Sequence, residues 1–422
     1  MTIGTWTLSI LVAVVTLLGP APVARGTADL PVCPPWILSK GMLPFWFSPA
    51  YAQDWTVFTI GTNDTGIAAL RSTDGGRTWT GTPLPGGFYE LALSPFYPTD
   101  HTLFAGGHLQ GQVLRSTDSG RTWTPAPSVP FPGDDAQTFA SYTLVVTDAH
   151  SVYVASAAGR PGAEADRGLS FSEDGGATWR QLVRGRVDVV AVSPDFSQDH
   201  TLLIGMSSYH YNAGVFKSTD SGMTWVEARK GIDWGENSST DGMSAINFSP
   251  GYAQDRTVFA AGSKLYKTTD AGAFWTTLPV SGGPPIISPY YSNDQTLWMS
   301  EYAGGTEELL ISTDGGATWR ALPTTVTPTA AAEHCPPGGT CGVELFGYIL
   351  RYDPNIIGGT RYRYKSYDYG QTWQCLEDPA PPPAPTPSPP PEVPEPATFI
   401  LLAGGVAGLI GYLRIRRGQK TI

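Results

Sequence analysis

The stretch STDGGRTW, residues 72–79, sets a carboxylate, two glycines, hydroxyl groups and a tryptophan within eight positions. It recurs as STDSGRTW (116–123), SEDGGATW (172–179), STDSGMTW (218–225), TTDAGAFW (268–275), STDGGATW (312–319) and SYDYGQTW (366–373). Seven copies argue for architecture, because one enzyme has little use for seven equivalent catalytic loops. The aspartates are Asp74, Asp118, Asp174, Asp220, Asp270, Asp314 and Asp368, and the tryptophans are Trp79, Trp123, Trp179, Trp225, Trp275, Trp319 and Trp373. Spacings of 44, 56, 46, 50, 44 and 54 residues between the aspartates suit repeating blades of several short strands.

A second motif runs in phase with the first. Ser-Pro segments begin at Ser48, Ser94, Ser193, Ser249 and Ser288, each 21 to 27 residues before its aspartate, and the third and seventh units lack a clean copy. In the second unit FYELAL reads as an inner strand that ends at Ser94-Pro95, since proline cannot donate to a ladder. FYPTDH reads as a turn, followed by strands in TLFAGG, GQVLRS and TWTPAP. Four antiparallel strands make one blade. The chain enters at a first strand and leaves after a fourth, so no strand is borrowed to close a ring. With 49 glycines, 38 prolines and only 15% charged residues among 422, the composition fits an all-β chain of many turns.

Ser-x-Asp-x-Gly-x-Thr-Trp resembles the Asp-box, or BNR repeat, of the propellers of sialidases, xyloglucan-active glycosidases, sortilin-type receptors and photosystem assembly factors. The resemblance covers about Pro44 to Trp373, with Phe274 in place of Thr in the fifth box as a departure. It implies a seven-bladed β-propeller of four-stranded antiparallel blades, with the box as frame rather than active site. The residues agree with that role. Asp in a tight turn accepts hydrogen bonds from its own loop amides. Gly76, Gly120, Gly176, Gly222, Gly272, Gly316 and Gly370 supply a positive φ, and each Trp is expected to bury its ring between blades.

Both ends read as sorting segments. Residues 1–28 hold a nine-residue apolar run, Ile10 to Leu18, suited to an export signal. A lead-in at 29–43 precedes the propeller, assigned to 44–378. A proline-rich linker occupies 379–396, an apolar helix of membrane-spanning length 397–413, and a basic tail 414–422. The order Pro394-Glu395-Pro396, apolar segment, then Arg414, Arg416 and Arg417 resembles the PEP-CTERM sorting signal of bacterial envelope proteins. That resemblance implies an exosortase-type sorting protease as partner, transient membrane anchoring through the helix, and a body displayed at or released from the cell surface. A plain membrane anchor is the alternative reading of the tail. In such an oxidising compartment four cysteines suggest disulfides. Three pairings are possible, and Cys33–Cys375 with Cys335–Cys341 is favoured. No zinc-type spacing occurs, and neither a metal nor a cofactor is expected.

A net charge of −11 without a basic stripe argues against a nucleic-acid partner. If the boxes are frame, function sits in other loops. Glycoside hydrolysis needs two carboxyls across the scissile bond. Acids outside the boxes are Asp134, Asp135, Asp188, Asp233, Glu236, Asp241, Glu301, Glu307 and Glu308. Lys230 to Gly242 (KGIDWGENSSTDG) is the most site-like segment, with Asp233, Glu236 and Asp241 as candidate catalytic acids and Trp234 as a sugar platform, against the plainer reading of a solvated loop. The Arg-Ile-Pro motif of sialidases is missing. The run RYRYKSYDY (361–369) reads as a strand with one packed and one exposed face. Together these features predict an exported, non-catalytic propeller that binds a polysaccharide or an envelope partner. A secreted glycosidase is the alternative, and an assembly factor for a membrane complex is a third reading.

Overall fold

The computed structural model describes residues 45–376 apart from 64–65, 86, 108–112, 128–141, 157–167, 207–213, 234–241, 281–282, 304–305, 325, 337 and 352–359. The expected export signal, lead-in, linker, membrane helix and basic tail therefore lie outside the described residues. Seven four-stranded antiparallel sheets are present, each built from four consecutive strands. These blades span 46–84, 88–125, 142–184, 187–227, 245–277, 286–321 and 327–375. The first strands of successive blades touch one another and so line the axis, which makes the chain a seven-bladed propeller. Among the described residues no strand crosses between the first and last blades.

Blade two shows why the sequence folds this way. Its strands are Phe88–Leu93, Leu103–Gly107, Val113–Ser116 and Thr124–Pro125. The second strand is buried at every residue, as are Val152–Ser156, Leu202–Met206 and Val258–Ala261. A strand covered by a neighbouring blade on each face favours a continuous apolar run over alternation. The fourth strands of blades two, four, five and six are two residues long and exposed. The cores lie between blades: Phe58, Ile60 and Leu84 of blade one pack with Phe88, Leu91 and Leu103 of blade two. Every one of the seven box tryptophans sits in such a core, Trp275 and Trp373 fully buried and the other five half-buried.

Between blades seven and one the ring closes by side chains alone. Phe45, Tyr51 and Val57 pack with Ala332, Phe346 and Leu376. Glu344, only 1% exposed, accepts a hydrogen bond from the Tyr51 hydroxyl at 2.7 Å and lies 3.4 Å from His334 Nδ1. The sequence 361–369 differs here from expectation. Arg363 and Lys365 are buried along with Tyr364, so the strand Thr360–Ser366 has no exposed face near its end. Aromatic rings cover the two cations, Phe45 beneath Arg363 at 5.4 Å and Tyr367 beneath Lys365 at 5.5 Å.

Within a blade, the connection from first to second strand and the connection from third to fourth strand share one end. The boxes occupy the latter. The Ser-Pro segments occupy the former, and each is a single helical turn rather than a plain turn: Tyr51–Asp54, Tyr97–Asp100, Phe196–Asp199, Tyr252–Asp255 and Tyr291–Asp294. A side-chain clasp closes each one. Ser48 Oγ donates to Asp54 Oδ2 at 2.6 Å, and Asp54 Oδ1 accepts the Thr56 amide at 2.8 Å. Each turn ends on a left-handed residue: Trp55, His101, His200, Arg256 or Gln295. In blade seven the loop closed by the Cys335–Cys341 disulfide (S–S 2.06 Å) stands in this place.

The four remaining non-glycine residues with positive φ, Ser119, Ser221, Ala271 and Tyr369, all sit in boxes, each just before the repeating glycine. The two left-handed positions bond to each other. The Ser119 amide donates to the His101 carbonyl at 3.0 Å, the Ala271 amide to Arg256 at 3.0 Å, and the Gly315 amide to Gln295 at 2.9 Å. The carbonyl of the same box residue then receives a donor from the preceding blade. Lys217 Nζ reaches Ala271 O and Lys267 Nζ reaches Gly315 O, both at 3.0 Å, while Tyr153 OH reaches Ser221 O and Trp298 Nε1 reaches Tyr369 O, both at 3.1 Å. Burial holds both lysines below their usual pKa. Lys267→Met should therefore cost about 1.5–3 kcal/mol, read as a lower urea midpoint at unchanged m-value. An unaltered midpoint would show that the tie carries no weight.

Candidate functional site

Each box closes on itself. In the first, Ser72 Oγ donates to Asp74 Oδ1 at 2.7 Å and accepts the Gly76 amide at 2.8 Å. Asp74 Oδ1 also accepts the Thr78 amide at 2.9 Å, and Oδ2 accepts the Thr78 hydroxyl at 2.6 Å. The Trp79 indole donates to the Gly76 carbonyl at 2.8 Å. Both carboxylate oxygens are thus occupied. The Thr hydroxyl first, and the Thr amide next, hold Asp174, Asp220 and Asp314 at a pKa of about 2. In the fifth box Phe274 supplies only its amide to Asp270, at 2.9 Å, and its ring is 47% exposed.

Of the candidate set Asp233, Trp234, Glu236 and Asp241, Asp233 alone falls among the described residues. Asp233 is 66% exposed and paired with Lys264 at 2.9 Å, an arrangement of a solvated surface acid. Trp234, Glu236 and Asp241 lie outside the described residues, as do Cys33, Pro394, Glu395, Pro396, Arg414, Arg416 and Arg417. Cys375 is buried at the end of the last strand. A cleft of about 530 Å³ lies beside the described part of that candidate loop, lined by Glu227, Arg229, Lys230, Gly231 and Ile232, with Arg229 and Glu227 ion-paired. Among the described residues, one grouping has metal-ligand chemistry, Glu333 with Cys335 and Cys341, and the disulfide occupies both of its sulfurs.

The end of the propeller opposite the boxes is different in kind. It carries the second-to-third strand connections and the passages between blades. At this end the inner strands of blades two and four break register at the same rung. Tyr89 is bulged between the pairs Phe88–Gly107 and Glu90–Gly106, and Asp188 between Val187–Met206 and Val189–Gly205. Bulges re-aim side chains and recur beside binding sites. Tyr89 is 43% exposed. Arg186 Nε donates to Asp188 Oδ1 at 2.7 Å. Asp188 Oδ2 is buried with no partner, and the side chain is 11% exposed. The inner strand of blade three joins the two: the Leu144 amide donates to Glu90 Oε1 at 3.1 Å and the Thr143 hydroxyl to the Asp188 carbonyl at 3.3 Å. Burial pushes the Glu90 carboxyl up to about 7, the Leu144 amide opposing it only in part. Sequence reading counted Asp188 among nine acids without singling it out and missed Glu90 altogether. The signal available was FYEL and RVDVV, each an acid interrupting an apolar inner strand.

A family model for the PEP-CTERM protein-sorting motif matches residues 392–417. The tail is a PEP-CTERM sorting motif. Such a motif implies export, association with the membrane or envelope, and processing by exosortase-type machinery. Among the described residues no helix is long and apolar enough to cross a membrane. No curated protein matches the chain. Among solved structures it is similar to the GH74 xyloglucanase of Xanthomonas campestris, at 17% identity and a TM-score of 0.54 over 82% of this chain and 56% of that one. The match therefore spans little more than half of that enzyme's length, and it shows the propeller fold. YCF48 from Cyanidioschyzon merolae (16% identity, TM-score 0.48, 79% of this chain and 97% of that one) and a GH74 enzyme from Niastella koreensis (15%, 0.48, 81% and 67%) are also similar.

Two measurements probe these sites. Phe274→Thr gives Asp270 the hydroxyl donor that six other boxes have, and is expected to raise stability by about 0.5–1.5 kcal/mol in chemical denaturation. For Glu90, a folded pKa above the ordinary 4.5 means that the folded state holds its proton more tightly. Its effect is then neutral at acid pH and turns unfavourable as pH rises from 4.5 through about 7. Glu90→Gln keeps the oxygen that accepts from Leu144 and removes this loss. The variant should match the parent near pH 4 and exceed it at pH 8 by up to about 3 kcal/mol. A pH-independent difference would contradict the assignment.

Proposed function

We propose that this chain is an exported, non-catalytic propeller that binds an extracellular polysaccharide or another envelope component through the end opposite the boxes. One observation carries the reading. At the box end, six of the seven boxes repeat one carboxylate network, with Asp74 as the pattern, and the fifth lacks its hydroxyl donor. Register breaks in the inner strands of blades two and four, and the unpartnered Asp188 Oδ2, lie at the other end. A surface whose polar groups are already paired offers a ligand little, and an irregular one offers specificity. Linker, membrane helix and sorting signal, as assigned from sequence, would tether the propeller at the membrane until the tail is processed. The favoured Cys33–Cys375 disulfide would fasten the lead-in to the last blade.

A glycosidase is the second reading, and Glu90 is what favours it. A carboxyl whose pKa burial raises to about 7 can hold and release a proton near neutrality, as a general acid must. Asp233, Glu236 and Asp241 are the weaker set for that role, since Asp233 is committed to Lys264. Incubating the full chain with a panel of polysaccharides separates the two. Retention of one glycan or envelope protein without release of reducing ends is expected. Turnover that disappears in Glu90→Gln would replace the binding reading with the enzymatic one.

A further inference from the structure

We infer that the axial rim of blades two to four is a binding site for neutral polysaccharide, with Tyr89, Arg186 and Asp188 as its contact residues and Thr143 and Glu90 fixing their strands. The inference rests on the binding reading above and names its ligand class. Tyr89 and Asp188 occupy the same bulged position two blades apart, so both leave the ladder at one level of the channel. The strand between them is pinned to both neighbours, to Glu90 through the Leu144 amide and to Asp188 through the Thr143 hydroxyl. The three inner strands thus form one rigid platform rather than three independent loop tips.

The chemistry of this platform selects among ligands. An exposed tyrosine gives an amphipathic face of the kind that packs on the C–H face of a pyranose ring. Asp188 Oδ2 is a buried acceptor lacking a donor, and leaving such an atom unmade costs free energy that a ligand hydroxyl would recover. Arg186 neutralises the other oxygen of that carboxylate, so its charge is already spent on the protein. Two acids and one committed arginine disfavour an anionic ligand such as a uronate or a phosphate. A cation fits poorly as well, because the Arg186 guanidinium already sits on Asp188 Oδ1. A neutral sugar, rich in hydroxyl donors and offering an apolar ring face, satisfies all of these groups.

The test is calorimetric titration of the full chain in detergent with cellohexaose, xylohexaose and hexagalacturonate. Parent, Tyr89→Ala, Asp188→Ala and the box-end control Phe96→Ala would each be titrated. The neutral hexaoses are expected to bind and the uronate not. Tyr89→Ala should weaken binding about tenfold and Asp188→Ala about thirtyfold, with Phe96→Ala unchanged. Because Tyr89 is exposed, its removal spares the fold, which circular dichroism would verify. Neutral-sugar binding that both rim variants retain, preference for the uronate, or no binding of either neutral hexaose each overturns the inference. Capture of an envelope protein by a chain that ignores all three sugars would leave the binding reading standing and remove this one.

Discussion

The ring depends on one residue per blade held in a left-handed conformation, because that residue offers its amide and its carbonyl in different directions. In blade five it is Ala271. Its amide goes to Arg256 at the end of the Ser-Pro turn, and its carbonyl takes Lys217 from blade four. In blade six Gly315 does the same with Gln295 and Lys267. A single backbone unit therefore joins two turns within a blade and ties that blade to its predecessor. A left-handed conformation costs a non-glycine residue on the order of 1–2 kcal/mol, and here two hydrogen bonds and a closed carboxylate network hold it in place. Where the preceding strand carries Phe171 or Ile311 instead of a cation, Tyr153 or Trp298 makes the tie from the neighbouring strand. In blades four to seven the donor changes while the acceptor carbonyl stays, whereas in blade three Arg115 reaches the Ala149 carbonyl instead.

That constraint accounts for the division of the molecule into two unlike ends. One end is specified by hydrogen bonds that recur from blade to blade, and its residues are exchangeable only within the turn chemistry. Arg77 and Met223 can vary in the boxes because the network uses neither side chain. The other end is free of those rules. There the inner strands of blades two and four carry bulges, and the half-buried Glu90 has its ionisation disfavoured by desolvation.

The frame was legible in sequence because it repeats. A spacing near fifty residues and an in-phase Ser-Pro motif define seven units, and proline and glycine mark the strand ends inside each. What the spacing could not show was the clasp between Ser48 and Asp54 or the left-handed Trp55, His101 and Arg256, since unlike side chains at one position conceal a common backbone. Arg363 and Lys365 misled for a related reason. Charge at alternate positions suggests an exposed face, but aromatic rings from the first and last blades cover both. The rim site was harder still. Glu90 and Asp188 are separated by nearly a hundred residues, lie in strands that read as core, and are linked only through the blade-three strand between them once the blades are set around an axis. Loop position and solvated character drew attention to Asp233 instead, and its pairing with Lys264 marks it as a surface residue.

Because every sheet is assembled from consecutive strands, the point at which the polypeptide begins is arbitrary with respect to hydrogen bonding. Moving the termini to another inter-blade passage would sever no ladder, and adding or removing one repeat would change the circumference without unravelling a sheet. Rings that close by exchanging a strand lack this freedom. In this one the junction of blades seven and one is held by Phe45, Tyr51, Phe346 and Glu344, so circular permutation and blade duplication are open to it as routes of evolutionary change.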